Sequence, residues 1–235
     1  RRFLEFLLLI TAPSGALKGI MELFVRALAF ASEAHKGQFR KDVNKMPYIC
    51  HPIDVCLVLS QAGIDDEDVL CAGMLHDVIE DCGISHADIA KEFGLKIAYL
   101  VSEVSDDPDL HGNERKNAQI EKVKSISESA KLIKVADKIC NLKDILWNPP
   151  VDWDVLQKEK YRDFAKAVFD SANVSNQFLI NLFICNAVYL FFLALLITVS
   201  FIIFFIIFRT KCATIPFLFD TSWFFEFRYI IVTCL

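Results

Sequence analysis

The sequence lacks any pair of cysteines spaced as Cys-x-x-Cys, although eight of its 235 residues are cysteines. Structural zinc ribbons are built from such pairs, and disulfide frameworks belong to oxidising compartments. Several of the cysteines lie inside apolar, helix-like patterns, which is typical of free buried thiols in a reducing compartment. The sequence therefore excludes a zinc ribbon, argues against a disulfide framework and predicts a cytoplasmic body.

Sustained alternation of apolar and polar residues, the pattern of a half-buried β-strand, is also missing. Apolar residues recur instead at intervals of three and four over residues 16–39, 131–142 and 152–176. This spacing places them on one face of an amphipathic helix. The sequence predicts an all-α body.

Basic residues do not outnumber acidic ones, since the chain carries 25 Lys and Arg against 30 Asp and Glu. A broad nucleic-acid surface needs a positive balance, so nucleic acid is excluded as the main partner. A polyanionic small molecule can still be held by a local basic cluster or by a metal ion. The expected partner is therefore a small molecule, and no oligomeric state is predicted.

Charged residues become scarce after Gln177, and residues 187–208 contain none. About 20 apolar residues are enough to span a hydrocarbon core of roughly 30 Å. We therefore divide the chain into a body over residues 17–177 and a hydrophobic tail over residues 178–235. The tail carries a candidate transmembrane helix over residues 187–208, which would tether the cytoplasmic body to a membrane. The alternatives are a non-native or unstructured end and a helix packed into the core.

Residues 1–16 form a separate leader in this interpretation. Two arginines followed by a short apolar run imitate a secretory signal, but Glu5 interrupts the apolar region. We expect a disordered or non-native leader rather than a working signal peptide.

One short stretch, residues 75–81, contains a histidine and three carboxylates within an apolar run. The spacing predicts a helix over residues 70–81, which would stack His76 on Glu80 and Asp77 on Asp81, one turn apart. Burying four ionisable groups is costly unless a divalent cation compensates them. The stretch therefore predicts a metal site, and the alternative is a solvated helix start with a stray histidine.

Two distant residues are further candidates for the same site. His51 lies at a helix entrance between Pro47 and Pro52, where a histidine can also serve as a hydrogen-bonding loop residue. Asp137 lies within the apolar stripe of a predicted helix. Its alternative role is an ion pair with Lys134 or Lys138.

Four blocks of sequence occur in a defined order. Taken together they resemble the HD-domain metal-dependent phosphohydrolases, and more narrowly the hydrolase domain of the RelA/SpoT type. The compact length is most similar to the metazoan SpoT homologue family of (p)ppGpp hydrolases, and the resemblance covers about residues 20–176. The blocks are Arg40-Lys41-Asp42, Pro47-Tyr48-Ile49-x-His51-Pro52, Leu75-His76-Asp77-x-x-Glu80-Asp81 and Lys134-x-Ala136-Asp137-Lys138-x-x-Asn141-Leu142.

The resemblance implies an HD-domain helical bundle with one Mn²⁺ ion. Two imidazoles and two carboxylates suit a borderline-hard divalent ion that keeps open positions for water and substrate. Glu80 and Asp81 would position and deprotonate the attacking water. The implied ligands of the ion are His51, His76, Asp77 and Asp137.

The resemblance also implies a reaction, the removal of pyrophosphate from the 3′ position of guanosine 3′,5′-bis(diphosphate), ppGpp. Arg40 and Lys41 would engage the nucleotide, Asn141 would hold substrate near the metal, and Tyr161 corresponds to a nucleotide-contacting tyrosine. Compact relatives can also remove the 2′-phosphate of NADPH. A NADPH 2′-phosphatase, or another nucleotide phosphohydrolase, is therefore the alternative enzyme.

Two positions depart from the family pattern. The loop that ends near Gly112 lacks the usual lysine, and Gln157 replaces an arginine four residues before the tyrosine. Both changes remove positive charge from the phosphate end of the cleft, so we expect weaker substrate affinity. They motivate a third hypothesis, a weakly active, membrane-tethered regulator that binds nucleotide.

Overall fold

The computed structural model describes residues 14–189 and residue 200, with side chains from residue 22 onward. The chain separates into two compact units, Arg1–Phe191 and Phe192–Leu235, and only residue 200 of the second is described. Within the described residues every regular element is a helix, so the predicted all-α class is confirmed. The helices are α1 Ser14–Ala34, α2 Cys50–Gln61, α3 Glu67–Met74, α4 Val78–Cys82, α5 His86–Phe93, α6 Leu95–Val104, α7 Gly112–Lys122, α8 Glu128–Trp147, α9 Val155–Ala172 and α10 over residues 177–189.

Short polar side chains determine where several helices begin. The Asp66 carboxylate accepts hydrogen bonds from the main-chain N–H groups of Asp68 and Val69 at the start of α3. Ser85 and Asp88 form a reciprocal capping box at α5, an arrangement that their spacing of three residues favours. These bonds satisfy N–H groups that have no partner inside the helix.

The helix predicted over residues 70–81 is wrong in one respect, because it is broken into α3 and α4. The break falls at Leu75, His76 and Asp77. The Nδ1 atom of His76 donates a hydrogen bond of 2.8 Å to the Gly73 carbonyl, and this local bond competes with continuation of the helix. His76 therefore does not stack on Glu80 along one helix face.

Helix α8 lies at the centre of the core. It packs against α2, α3, α6 and α9. Its buried stripe includes Ile133, Ile139 and Leu142, none of them more than 1% exposed. Because α8 also carries Asp137, a helix with a long buried stripe holds one of the candidate ligands.

The start of the predicted tail belongs to the first unit. Leu179 and Phe183 of α10 are buried in the same core as α8, and the ring of Phe183 stacks on Phe169 with centroids 4.1 Å apart. The core therefore extends beyond the composition change near residue 178.

Most of the candidate transmembrane helix, residues 187–208, lies outside the described residues, as do residues 1–13 of the leader. Among the helices that the structure describes, none is long and apolar enough to cross a membrane.

The packing of α10 predicts a measurable contribution to stability. Leu179→Ala removes a fully buried side chain, so we expect it to lower the free energy of unfolding by about 2–5 kcal/mol. Ile184→Ala on the same helix is the control, because its side chain is half exposed and should cost less than about 0.5 kcal/mol. Denaturant titration of the full chain measures both. Equal effects of the two variants would show that α10 is not part of the core.

Candidate metal centre and substrate cleft

The four predicted ligands come from three separate parts of the fold. His51 lies in the first turn of α2, His76 and Asp77 lie in the break between α3 and α4, and Asp137 lies in the middle of α8. Three of them are buried, and the Asp77 side chain is 16% exposed. The break matters here because it turns His76 and Asp77 towards the other two.

The donor atoms of the four residues face one another. The Nε2 atom of His51 is 3.1 Å from Oδ1 of Asp137 and 3.9 Å from Oδ2 of Asp77. The Nε2 atom of His76 is 3.0 Å from Oδ2 of Asp77 and 4.0 Å from Oδ1 of Asp137. Ligand atoms about 2.1 Å from one ion lie roughly 3–4 Å apart, and these four distances fall in that range. The donor atoms of His51, His76 and Asp77 all lie within 4.8 Å of one another, and Asp137 adds a carboxylate oxygen beside both imidazoles.

The chemistry of His76 tests whether a cation fits. Its Nδ1 atom must donate to the Gly73 carbonyl, so in the neutral ring the lone pair is on Nε2. That Nε2 atom is buried and has no hydrogen-bond partner among the described residues. It faces the Asp77 carboxylate, which is also an acceptor. A divalent cation would bind both acceptors, and the residues present therefore fit one.

The charges of the cluster shift one another's protonation. Burial alone would lower the pKa of His76, but Asp77 and Asp137 raise it to about 9. Burial would raise the pKa of Asp137, but Lys138 and His51 hold it well below its usual range. Burial would raise the pKa of Asp77 as well, but His76 holds it below its usual range. At neutral pH without a metal these shifts favour a protonated His76, whose Nε2–H then faces Asp77, and two ionised carboxylates.

Neighbouring side chains fix the orientation of the carboxylates. The hydroxyl of Tyr48 donates to Oδ2 of Asp77 at 2.7 Å, and burial together with Asp77 raises the pKa of this phenol, so it stays a donor. Lys138 Nζ lies 2.9 Å from Oδ2 of Asp137, and the amide of Asn141 donates to Oδ1 at 2.5 Å. The ion pair considered as an alternative for Asp137 thus coexists with the ligand geometry. The position of Tyr48, three residues before His51, was a signal for its role that the sequence analysis left unused.

A cleft of about 660 Å³ opens beside the cluster, and His51 forms part of its wall. All four residues predicted to bind substrate line it. Its aromatic lining includes Trp153 and Tyr161, whose ring centroids are 5.6 Å apart. The predicted residues are Arg40, Lys41, Asn141 and Tyr161.

A chain of hydrogen bonds connects this cleft to the metal ligands. One terminal nitrogen of Arg40 donates to Oδ2 of Asp144 at 2.6 Å and to Oδ1 of Asn141 at 2.9 Å. Asn141 in turn bonds Asp137. The carboxylate of Asp144 was not predicted, because its pairing with Arg40 joins residues 104 positions apart.

The two predicted catalytic carboxylates have different surroundings. Asp81 is exposed and lines the cleft. Glu80 is not among the residues lining it, its side chain is only 12% exposed, and burial raises its pKa. Both Glu80 oxygens accept hydrogen bonds, one from the main chain of Asp106 and one from Arg115.

The two departures from the family pattern also have structural counterparts. Gln157 closes a capping box with Asp154 at the start of α9 and is not among the cleft residues. Gly112, with φ +57°, is the first residue of α7. Arg115, one turn further along α7, does line the cleft, although no sequence motif pointed to it.

Comparison with known proteins places the chain in a family. Residues 27–170 match the sequence profile described as HD domain. The guanosine-3′,5′-bis(diphosphate) 3′-pyrophosphohydrolase MESH1 of Drosophila melanogaster is 44% identical over 154 residues, which cover 65% of this chain and 86% of the relative. The Homo sapiens protein of the same name is 38% identical over 154 residues, with the same coverage of each chain.

A solved structure gives the same result at the level of the fold. It is described as a metazoan orthologue of SpoT that hydrolyses ppGpp. It superimposes with a TM-score of 0.68 and 41% sequence identity, covering 70% of this chain and 93% of that one. By its profile match, its identity to these relatives and its fold, the chain belongs to the HD-domain family, together with the metazoan SpoT homologues.

Proposed function

We propose that the chain is a Mn²⁺-dependent hydrolase that removes pyrophosphate from the 3′ position of ppGpp. The observation that carries this proposal is the set of four donor atoms, 3.0–4.0 Å from their neighbours, beside a cleft lined by Arg40 and Lys41. The Drosophila and human relatives carry this activity in their names. The gathering of these four candidate ligands supports turnover over the alternative of a nucleotide-binding regulator.

The proposed metal ligands are His51, His76, Asp77 and Asp137. A mixed set of imidazoles and carboxylates suits Mn²⁺ and similar divalent ions better than soft, thiolate-seeking ones. When bound, the ion would stabilise the negative charge that develops on phosphoryl oxygens and lower the pKa of water.

The cleft residues divide the remaining tasks. Asp81, exposed in the cleft, accepts a proton from the attacking water, and Glu80, held by two hydrogen bonds, orients that water. Water attacks the phosphorus attached to the ribose 3′ oxygen, the bond between that oxygen and the phosphorus breaks, and the 3′ oxygen takes up a proton. The products are GDP and pyrophosphate. Arg40 and Lys41 bind phosphate groups through charge-assisted hydrogen bonds, Asn141 holds the substrate near the ligands, and Tyr161 contacts the nucleoside.

Removing one ligand tests the metal centre. We expect Asp137→Ala, assayed with ppGpp and Mn²⁺ after stripping of metal, to lower kcat/KM at least about 100-fold, since both the cation and its neighbours lose a charged partner. Asp170→Ala is the control, because Asp170 is exposed on the surface of α9 and its ion pair among the described residues is with Lys166. Pyrophosphate release measures both variants. Full activity of Asp137→Ala would contradict the proposed site.

Comparison of two substrates tests the reaction. We expect kcat/KM with Mn²⁺ to be at least about tenfold higher for ppGpp than for NADPH, because the 3′-diphosphate offers Arg40 and Lys41 more charge than a single 2′-phosphate does. Steady-state assays of pyrophosphate and phosphate release give the ratio. A reversed ratio would establish the NADPH 2′-phosphatase, and tight ppGpp binding without turnover would establish the regulator.

The protonation of His76 predicts a pH dependence of metal binding. Because its pKa is raised to about 9 in the metal-free protein, Mn²⁺ must displace a proton at any lower pH. We expect the affinity to fall by about tenfold per pH unit between pH 8 and 6.5. Calorimetry in two buffers of different ionisation enthalpy, at pH 7, should report the release of about one proton. Binding without proton release would contradict this assignment.

A further inference from the structure

Arg115, Asp106 and the predicted catalytic carboxylate Glu80 form a closed ring of hydrogen bonds. Arg115 donates to Oε2 of Glu80 at 2.5 Å through one terminal nitrogen, and to Oδ2 of Asp106 at 2.7 Å through Nε. The main-chain N–H of Asp106 donates to Oε1 of Glu80 and completes the ring. The ring joins α4, the loop after α6 and α7, which are separate in sequence.

Asp106 is firmly anchored within this ring. Its side chain is 5% exposed, and the amide of Gln119 donates to both of its oxygens, at 2.8 and 2.6 Å. Lys134 of α8 lies 3.2 Å from Oδ1 of Asp106 and also donates to the Val104 carbonyl. Asp106 therefore connects Arg115 to α8 through Lys134, and these bonds fix the position of the ring.

We propose that Arg115 is a positioning residue that holds Glu80 in place as an oriented anion for the reaction. The inference rests on the proposed function, in which Glu80 orients the attacking water. Two hydrogen bonds fix the plane of the carboxylate, and each oxygen keeps a lone pair for water. A guanidinium suits this task because its planar fork bonds two carboxylates at once, which an ammonium cannot do with the same geometry.

The alternative role for Arg115 is direct recognition of substrate phosphate, since its side chain lines the cleft and is 46% exposed. Two observations favour positioning. Its Nε and one terminal nitrogen are already bonded to anions, and moving them to a phosphate would leave the nearly buried Glu80 and Asp106 without this partner. Such a loss of a charged partner is costly.

The surroundings of Glu80 disfavour its ionised form. Burial raises the pKa of Glu80, as do Asp106 and Asp77, whereas Lys134 lowers it. An Arg115 cation bonded to Oε2 also favours the charged form. The charged groups that face Glu80 from the surrounding elements are Asp77, Asp106, Arg115, Lys122, Lys134 and Lys138.

A double-mutant cycle tests the proposal in the full chain with Mn²⁺ and ppGpp. We expect Arg115→Ala to lower kcat by about 10–100-fold with KM changed by less than about threefold. The acidic limb of the kcat profile should move up by about 1 pH unit, because activity needs ionised Glu80. In a Glu80→Gln background the same change should have almost no further effect, because Arg115 acts through Glu80.

Two further variants make the result specific. Arg115→Lys keeps the charge but not the fork, so its kcat should fall between wild type and Arg115→Ala. Arg26→Ala is the matched control, because Arg26 bonds the carboxylate and main-chain carbonyl of Glu92 and is exposed to the same degree. Its kinetics should equal those of the wild type. A KM raised tenfold at unchanged kcat, or additive effects in the cycle, would overturn the proposal.

A readout without turnover separates this proposal from the proposed function. Titration of the Glu80 side-chain carboxyl by carbon NMR in the metal-free protein should show a higher pKa in Arg115→Ala and no change in Arg26→Ala. An unchanged Glu80 titration in Arg115→Ala overturns the positioning role. If the wild-type protein fails to hydrolyse ppGpp but Arg115→Ala still raises the pKa of Glu80, the proposed reaction is wrong. The interaction by which Arg115 holds Glu80 is then still supported.

Discussion

The structure depends on the mutual attraction of two imidazoles and two carboxylates that are gathered in a largely apolar interior. Carboxylates and imidazoles at such depth are stable only if each charge has a partner. Here the partners are the other members of the cluster, with Tyr48, Lys138 and Asn141 around them. Without a metal, a protonated His76 balances the charges of Asp77 and Asp137. A divalent cation can replace that proton and balance the same two carboxylates.

The break between α3 and α4 shows how local chemistry serves this cluster. A continuous helix would have placed His76 above Glu80 on one face. The bond from His76 to the Gly73 carbonyl instead interrupts the helix, fixes the ring tautomer and directs Nε2 towards the other ligands. This one hydrogen bond thus sets the backbone break between α3 and α4 and leaves Nε2 of His76 as the candidate metal-binding atom.

Much of this was predictable from the sequence, and the limits have physical causes. The all-α class, the Ser85–Asp88 cap and the grouping of ligand residues follow from periodicity, local spacing and ordered motif blocks. The break at residues 75–77 could not be predicted from the sequence, because the hydrogen bond from His76 to the Gly73 carbonyl outweighs the helix propensity there. The roles of Arg115 and Asp144 were not predicted, because both depend on contacts between segments that are distant in the sequence. Gln157 closes a capping box at the start of α9 and is not among the cleft residues, which its place in the sequence alone could not show.

The most direct measurement is X-ray diffraction from crystals grown with Mn²⁺, recorded on both sides of the manganese absorption edge. A single anomalous peak about 2.0–2.3 Å from Nε2 of His51, Nε2 of His76 and the facing oxygens of Asp77 and Asp137 is the expected result. A peak that excludes Asp137 or His51, or the absence of any peak between these side chains, would contradict the central claim that these four residues form one metal centre.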